Sequence, residues 1–247
     1  NQNLFMLNAD DKKPSAVAGV PPDAFSEDGQ LWGNPLFDWN EHARTGYAWW
    51  AQRLKRTLEL HDEVRIDHFR AFAAYWQVEA GAATAKNGRW MVGPGKDLFD
   101  TLMPVLGDAK IVAEDLGVIT ADVVELREAC GMPGMVVLQF AWGGDGRNPH
   151  LLHNHYENSF CYPGTHDNET SQGWYAAQSE DTKRRLEAYA GVAYGDGAWG
   201  MIKAGMSSVS KACVFTMQDV LALGNEARMN TPGVADGNWA WRIGEPG

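Results

Sequence analysis

The sequence predicts an α/β protein built from parallel βα units, the C-terminal portion of a (β/α)8 TIM barrel with its N-terminal strands missing. Three observations carry this reading. Strand-like and helix-like runs alternate at about 25 to 50 residues per unit, the signature of parallel strands joined by helical crossovers. Only four or five such units fit in the 247 residues, and the first 63 are spent on a Gly/Pro-rich stretch and a helix. Three short apolar runs end abruptly in a carboxylate, as buried parallel strands do where they open into a site. The structural alternative, a doubly wound open sheet, would advertise a Gly-rich phosphate loop, and the sequence contains none.

In chain order, residues 19–40 read as a Gly/Pro-rich loop. Residues 41–60 place Tyr47, Ala51, Leu54 and Leu58 at helical spacings of three and four, with Lys and Arg opposite. Strands are expected at 64–69, 109–114, 135–141, 159–163 and 212–217. A helix over 96–106 is interrupted by Pro104. The helix at 120–130 has Thr120 as N-cap, Asp122 in its first turn and Gly131 as its stop. Further helices are expected at 181–190 and 197–211, and 142–158 is the most irregular segment. No internal repeat or second-domain boundary is visible, so 1–247 reads as part of a single domain.

With 45% hydrophobic and 21% charged residues, the composition is that of an ordinary globular protein. The net charge of −11 argues against a nucleic-acid or anionic-membrane partner. No apolar run approaches the roughly 20 residues of a transmembrane helix. Cys130, Cys161 and Cys213 lie in apolar contexts and read as buried free thiols rather than a disulfide framework. The chain starts at Asn1 without Met, shows no leader and stops in Gly244-Glu245-Pro246-Gly247, so a fragment is expected. Eleven tryptophans are unusual: their flat apolar faces suit stacking on sugar rings, although core packing is the better explanation for most of them.

The chemistry is at the strand ends. Asp67 closes Val64-Arg65-Ile66-Asp67, and Arg65 alternates onto the same face, where it would keep the carboxylate ionised and oriented as a nucleophile requires. The alternative is a structural Arg–Asp pair at the rim. Glu114 closes Ile111-Val112-Ala113-Glu114, and burial against that strand would raise its proton affinity toward that of a general acid. Its alternative is to cap the next helix, a task for which Asp115 is better placed. Asp167 lies between His166 and Asn168, both suited to sugar hydroxyls, with an Asx turn as the alternative. Two carboxylates of different pKa serve glycoside cleavage, one as nucleophile and one as proton donor. His150, His153 and His155 lack companion ligands at zinc spacing, so no metal is expected. A catalytic pair of Cys161 and His166 is disfavoured, because Cys161 sits inside an apolar strand without a helix N-terminus to lower its pKa.

Arg65-Ile66-Asp67-His68-Phe69-Arg70, Ala113-Glu114-Asp115-Leu116-Gly117 and Thr165-His166-Asp167-Asn168 resemble the strand-4, strand-5 and strand-7 motifs of the 4-α-glucanotransferases, also called amylomaltase or disproportionating enzyme, of glycoside hydrolase family 77. Gly19-Val20-Pro21-Pro22-Asp23-Ala24-Phe25-Ser26, Gly29 to Trp39, Gly93-Pro94-Gly95-Lys96, Gln218-Asp219 and Ala227 to Gly233 extend the resemblance along essentially the whole chain, closest to the plastidial and cyanobacterial branch. The resemblance implies about strands 4–8 of the barrel, with 19–40 as a substrate or acceptor loop. It implies transfer of α-1,4-glucan segments between maltooligosaccharides, with Asp67 as nucleophile, Glu114 as general acid/base and Asp167 as the carboxylate supporting the transition state. Asp23, Trp32, Arg65, His68, His166 and Asn230 would bind substrate, without cofactor or metal. The implied partners are maltooligosaccharides and starch-derived glucans, not nucleic acid or membrane. The implied location is the plastid (chloroplast) stroma or the bacterial cytoplasm, in soluble form. Ala71 and Glu169 depart from the family's commoner Gly and Asp. An α-amylase-like retaining hydrolase and an inactive glucan-binding fragment are the competing expectations.

Overall fold

Alternating burial sets the first parallel pair. In β3 (Glu63–Ile66), Val64 and Ile66 are buried while Glu63 and Arg65 are half-buried on the other side. The three apolar residues of β6 (Lys110–Ala113) are all buried. The two strands run parallel, with Val64 opposite Ile111 and Ile66 opposite Ala113. The computed structural model describes residues 1–23 and 26–244 and divides into two compact units, Asn1–Pro133 and Gly134–Gly247.

In the first unit, β1 (Ala16–Val20) and β2 (Gln30–Pro35) form an antiparallel pair, followed by α1 (Trp39–Arg44), α2 (Ala48–Leu58) and then β3. After β3 come β4 (Ala74–Glu79), β5 (Arg89–Val92) and α3 (Gly95–Leu106), then β6 and α4 (Ala121–Ala129). A four-stranded antiparallel sheet has the order β2-β1-β4-β5. The core beside the β3–β6 pair is built from Trp50 and Leu54 of α2, Phe69, Phe72, Leu98, Phe99 and Leu102, closed by Val123 and Leu126 of α4. Burying side chains of this size stabilises by about 1.5–3 kcal/mol each.

The second unit carries β7 (Gly134–Val137), β8 (Ser159–Tyr162), α5 (Ser171–Ala177), α6 (Glu180–Ala190), α7 (Gly197–Met206), β9 (Ala212–Cys213) and α8 (Met217–Val220). Its sheet, β7-β8-β9, is parallel throughout. Val136, Leu138, Cys161, Trp174, Leu186 and Met201 form its core. The cysteines are free thiols; Cys161 is buried, while Cys130 and Cys213 are half-buried. Among the described residues no helix is long and apolar enough to cross a membrane.

Several expectations are corrected. The stretch 19–40 contains regular structure: the end of β1, all of β2 and the start of α1 lie within it, while Ala24 and Phe25 lie outside the described residues. Its turn residues hide a strand that exists because β1 pairs with it across a register shift, at Gly19. A Cβ at Gly19 would stand 2.4 Å from the Gln30 carbonyl oxygen, so only glycine permits this approach. The antiparallel sheet as a whole went unread. The helix expected over 41–60 is two helices, split where Gly46 (φ 60) and Tyr47 (φ 52) turn left-handed. Tyr47 holds that turn by donating its hydroxyl to Asp97 at 2.6 Å. The strand expected over 135–141 tightens into a 3₁₀ turn at Leu138–Phe140. The strand at 212–217 ends after two residues, because Thr216 caps α8 by accepting from the Asp219 N–H. The helix at 197–211 stops at Met206, since Ser208 and Ser210 use their hydroxyls on His155 and Ser159.

A Cβ at Gly93, in the turn between β5 and α3, would lie 2.3 Å from the Phe72 carbonyl oxygen and 2.5 Å from that of Ala71. Gly93→Ala is therefore expected to destabilise by about 1–3 kcal/mol in urea unfolding. Gly143→Ala, with nothing within 4 Å of the added methyl, should stay close to wild type. Equal midpoints for the two variants would contradict this packing.

Candidate active site

The end of β3 and the end of β6 are joined by more than their ladder. Glu114 donates its backbone N–H to the Ile66 carbonyl at 2.9 Å and accepts at its own carbonyl from the Phe69 N–H at 3.0 Å. These bonds carry the chain past the strands in a fixed path and set Asp67, His68 and Glu114 side by side. Arg65 Nη2 stands 2.9 Å from Asp67 Oδ1, and the Asp67 side chain is 75% exposed. A pair so open to water adds little stability, so its effect is to orient the carboxylate. The same-face reading of Arg65 and Asp67 is thus met in the geometry.

Glu114 sits in a different environment. Its Oε2 accepts from the His68 N–H at 2.6 Å and its Oε1 from the Leu116 N–H at 2.9 Å. Its pKa is nonetheless raised above the ordinary carboxylate value: burial is the largest cause and the Asp67 charge adds to it, against the lowering effects of the two N–H bonds and Arg65. Burial also lowers the His68 imidazole to about 4, so the ring is neutral at ordinary pH. Trp32, on β2, meets that ring edge to face at 4.8 Å. A cavity of about 210 Å³ has Asp67 and His68 in its lining, with walls of Trp32, Phe37, Trp39, Trp50, Tyr75 and Trp76. Asp115 does not cap α4, which starts at Ala121 behind Thr120. It pairs instead with Arg127 Nε at 3.1 Å, both side chains more than nine-tenths buried.

The second unit gathers its own carboxylate cluster. Asp167 Oδ1 accepts from Asn230 Nδ2 at 2.6 Å, and His166 Nε2 lies 3.3 Å from Oδ2. Arg228 Nη2 donates to the Asp167 backbone carbonyl at 2.8 Å. The turn that carries them is closed by Asn168, whose Oδ1 accepts from both the N–H and the hydroxyl of Thr165, so the Asp167 carboxylate remains available. Trp239 packs on the His166 ring at 5.3 Å and is 54% exposed. Sequence reasoning missed Arg228, although it lies inside a quoted motif, and Trp239, which no spacing marks. Asp23 is half-buried; its Oδ1 accepts from the Ser26 N–H at 2.9 Å.

The remaining histidines have structural partners. His150 Nδ1 accepts from the Val137 N–H at 3.1 Å. His153 meets the Tyr189 hydroxyl and the Gly146 carbonyl, and His155 meets Ser208 and the His150 carbonyl. Among the described residues no group of three His, Cys, Asp or Glu side chains stands together as a metal site.

Residues 1–245 match the family described as 4-alpha-glucanotransferase, glycoside hydrolase family 77. The chloroplastic/amyloplastic 4-alpha-glucanotransferase of Arabidopsis thaliana is 52% identical over 246 residues, covering 98% of this chain and 42% of that protein. The 4-alpha-glucanotransferase of Clostridium butyricum is 46% identical over 244 residues, covering 98% of this chain and 50% of the relative. Amylomaltase from Streptococcus agalactiae, solved in complex with acarbose, superposes with a TM-score of 0.93 at 38% identity, over 98% of this chain and 49% of that one. The chain thus spans about half the length of the relatives it matches.

Removing one partner of the Asp115–Arg127 pair strands a buried charge. Arg127→Met is therefore expected to destabilise by about 3–5 kcal/mol in denaturant unfolding. A loss below about 1 kcal/mol, the range of exposed pairs, would show that the pair is hydrated.

Proposed function

The chain belongs to the 4-alpha-glucanotransferase family, and from that premise we propose that it carries the catalytic carboxylates of an enzyme that moves α-1,4-glucan segments between maltooligosaccharides. The observation that carries the proposal is the pairing of two unlike carboxyls: Asp67, exposed beside Arg65, and Glu114, buried with its pKa raised. That is the division of labour of a retaining glycosidase, in which nucleophile and acid/base carboxyls stand about 5–5.5 Å apart.

In the proposed reaction, Glu114 gives its proton to the glycosidic oxygen while Asp67 attacks the anomeric carbon. The donor glucan is then held as a glycosyl ester of Asp67, and the leaving glucan departs with the proton. Glu114, now ionised, takes a proton from the 4-hydroxyl of an acceptor glucan, whose oxygen displaces Asp67 with net retention. Asp167 is proposed as the third carboxylate, opposite the positive charge of the transition state, with Asn230 holding its orientation. Arg65, His68, His166, Trp32 and Asp23 are proposed as sugar contacts, and the aromatic cavity walls suit the apolar faces of pyranose rings. Transfer in place of hydrolysis requires an acceptor to outcompete water, and the segment 19–40 is proposed to exclude water on the acceptor side.

The wider reading belongs to the same proposal. The parallel pairing of β3 with β6, and of β7, β8 and β9, supports these as later strands of a (β/α)8 barrel, with 1–247 part of one catalytic domain. Maltooligosaccharides and starch-derived glucans are the proposed partners. The plant relative's name, chloroplastic/amyloplastic, supports a plastid stroma as the location, and the match to a bacterial relative leaves a bacterial cytoplasm as the alternative.

Full-length protein incubated with maltotriose alone is expected to yield glucose together with longer maltooligosaccharides, and Asp67→Asn should abolish both. Glucose and maltose without longer products would mean hydrolysis and would remove the acceptor argument. Trp32→Ala is expected to raise the ratio of hydrolysis to transfer, read from the same products. The acid step requires protonated Glu114, so kcat/KM should fall as pH rises through its raised pKa. Glu114→Gln should lower kcat by about 10²–10⁴-fold; an unchanged alkaline limb in that variant would assign the limb elsewhere.

A further inference from the structure

We propose that His68 is a positioning residue that acts through its backbone: its left-handed conformation aims the N–H of the Asp67–His68 peptide at Glu114, so that one peptide unit fixes the two carboxyls against each other. The inference rests on the roles proposed above for Asp67 and Glu114.

The geometry is specific. His68 has φ 48 and ψ 50, a region that glycine enters readily, that Asn, Asp and His enter more often than other L residues, and that β-branched residues avoid. In that conformation its N–H reaches Glu114 Oε2 at 2.6 Å. The donor belongs to the peptide bond whose other side is Asp67, so the path from one carboxyl-bearing residue to the other runs through a single planar unit and one hydrogen bond. The next N–H, that of Phe69, returns to the Glu114 carbonyl at 3.0 Å, which locks the turn to the same residue. Trp32 against the imidazole, at 4.8 Å, gives the strained residue a packed side chain.

The chemistry explains the placement. With Leu116 N–H on Oε1, each carboxylate oxygen of Glu114 has one backbone donor. Both bonds are fully made only by the ionised group, because a protonated oxygen accepts poorly. As Glu114 passes its proton to the leaving oxygen, the negative charge it acquires is met by two donors already in place. They oppose burial and the neighbouring Asp67 charge, acting in the same direction as Arg65. The proton is therefore held, but not too tightly to leave.

The test separates the peptide from the ring. Full-length His68→Asn and His68→Val both lack the imidazole, but only Asn accepts a left-handed backbone. Glu114 is followed by ¹³C NMR titration of its carboxyl carbon without substrate, so turnover is not needed. His68→Asn is expected to titrate with wild type, whereas His68→Val should rise by about one pH unit as the donor swings away. Should the Val variant fail to fold, His68→Ala takes its place and is expected to titrate above both wild type and His68→Asn, since alanine also disfavours the left-handed backbone. Equal titration in all variants, or equal shifts in Asn and Val, would overturn the proposal. Wild-type protein that leaves maltotriose unchanged while the titration order holds would overturn the assigned reaction and support the backbone coupling.

Discussion

The hydrogen bond from the Glu114 N–H to the Ile66 carbonyl is the point on which the first unit turns. It extends the β3–β6 ladder one step beyond the last paired residues, Ile66 and Ala113. Past it the two chains diverge: one enters the 3₁₀ turn at Phe69–Phe72, the other runs toward α4. Parallel strands are tied by evenly spaced bonds and need both faces covered. Here the cover is Phe69, Phe72, Phe99 and Leu102 on the side that Val64 and Ile66 face. Arg65 and Asp67, displaced by the two-residue period, are left together on the other side. Core packing and carboxylate placement are thus the same alternation read on its two faces.

That arrangement divides two chemically identical groups. Asp67 ends a strand and projects into water beside a cation. Glu114 ends the neighbouring strand with its carboxyl turned under the loop that carries His68, where desolvation outweighs the two N–H donors and Arg65. No metal is needed to explain the difference; one residue of reach and one turn of backbone are enough. The buried Asp115–Arg127 pair bears on this too, since it ties the residue next to Glu114 to α4 and resists rotation of the loop.

What the sequence disclosed follows from what is local. Val64 to Asp67, Ile111 to Glu114 and Ser159 to Tyr162 were legible because β-branched and aromatic runs end in polar residues within a few positions. Thr120 and Gly131 marked α4, and Gly131 does turn left-handed beyond it. The antiparallel sheet was hidden because its strands depend on partners far along the chain: Ala16 pairs with Glu79, and Val17 with both Pro35 and Val78. β2 is exposed along most of its length, so it carries no apolar alternation to read. The break between α1 and α2 was hidden for another reason. Tyr47 fits the helical pattern by side chain, and its left-handed turn is held by contacts distant from that pattern: its bond to Asp97, the burial of its ring and its own N–H on the His42 carbonyl.

The same limit applies at the candidate site and says something about how it is held. His68 and Trp239 are two of the non-glycine residues with positive φ, and each touches a cluster around a carboxylate singled out by its sequence context. Such backbone costs of order 1–3 kcal/mol and persists only where the surroundings over-determine it. At His68 the surroundings are Trp32 and the Glu114 carboxyl; at Trp239 they are the His166 ring and a 2.8 Å bond from its own N–H to the Met229 carbonyl. A motif can record that a histidine follows Asp67, because identity is what a sequence contains. It cannot record that the histidine is left-handed, and it is the handedness that points the peptide N–H at Glu114. A substitution that keeps the letters of the motif around residue 68 but denies it that backbone would therefore disturb the site more than one that removes the imidazole alone.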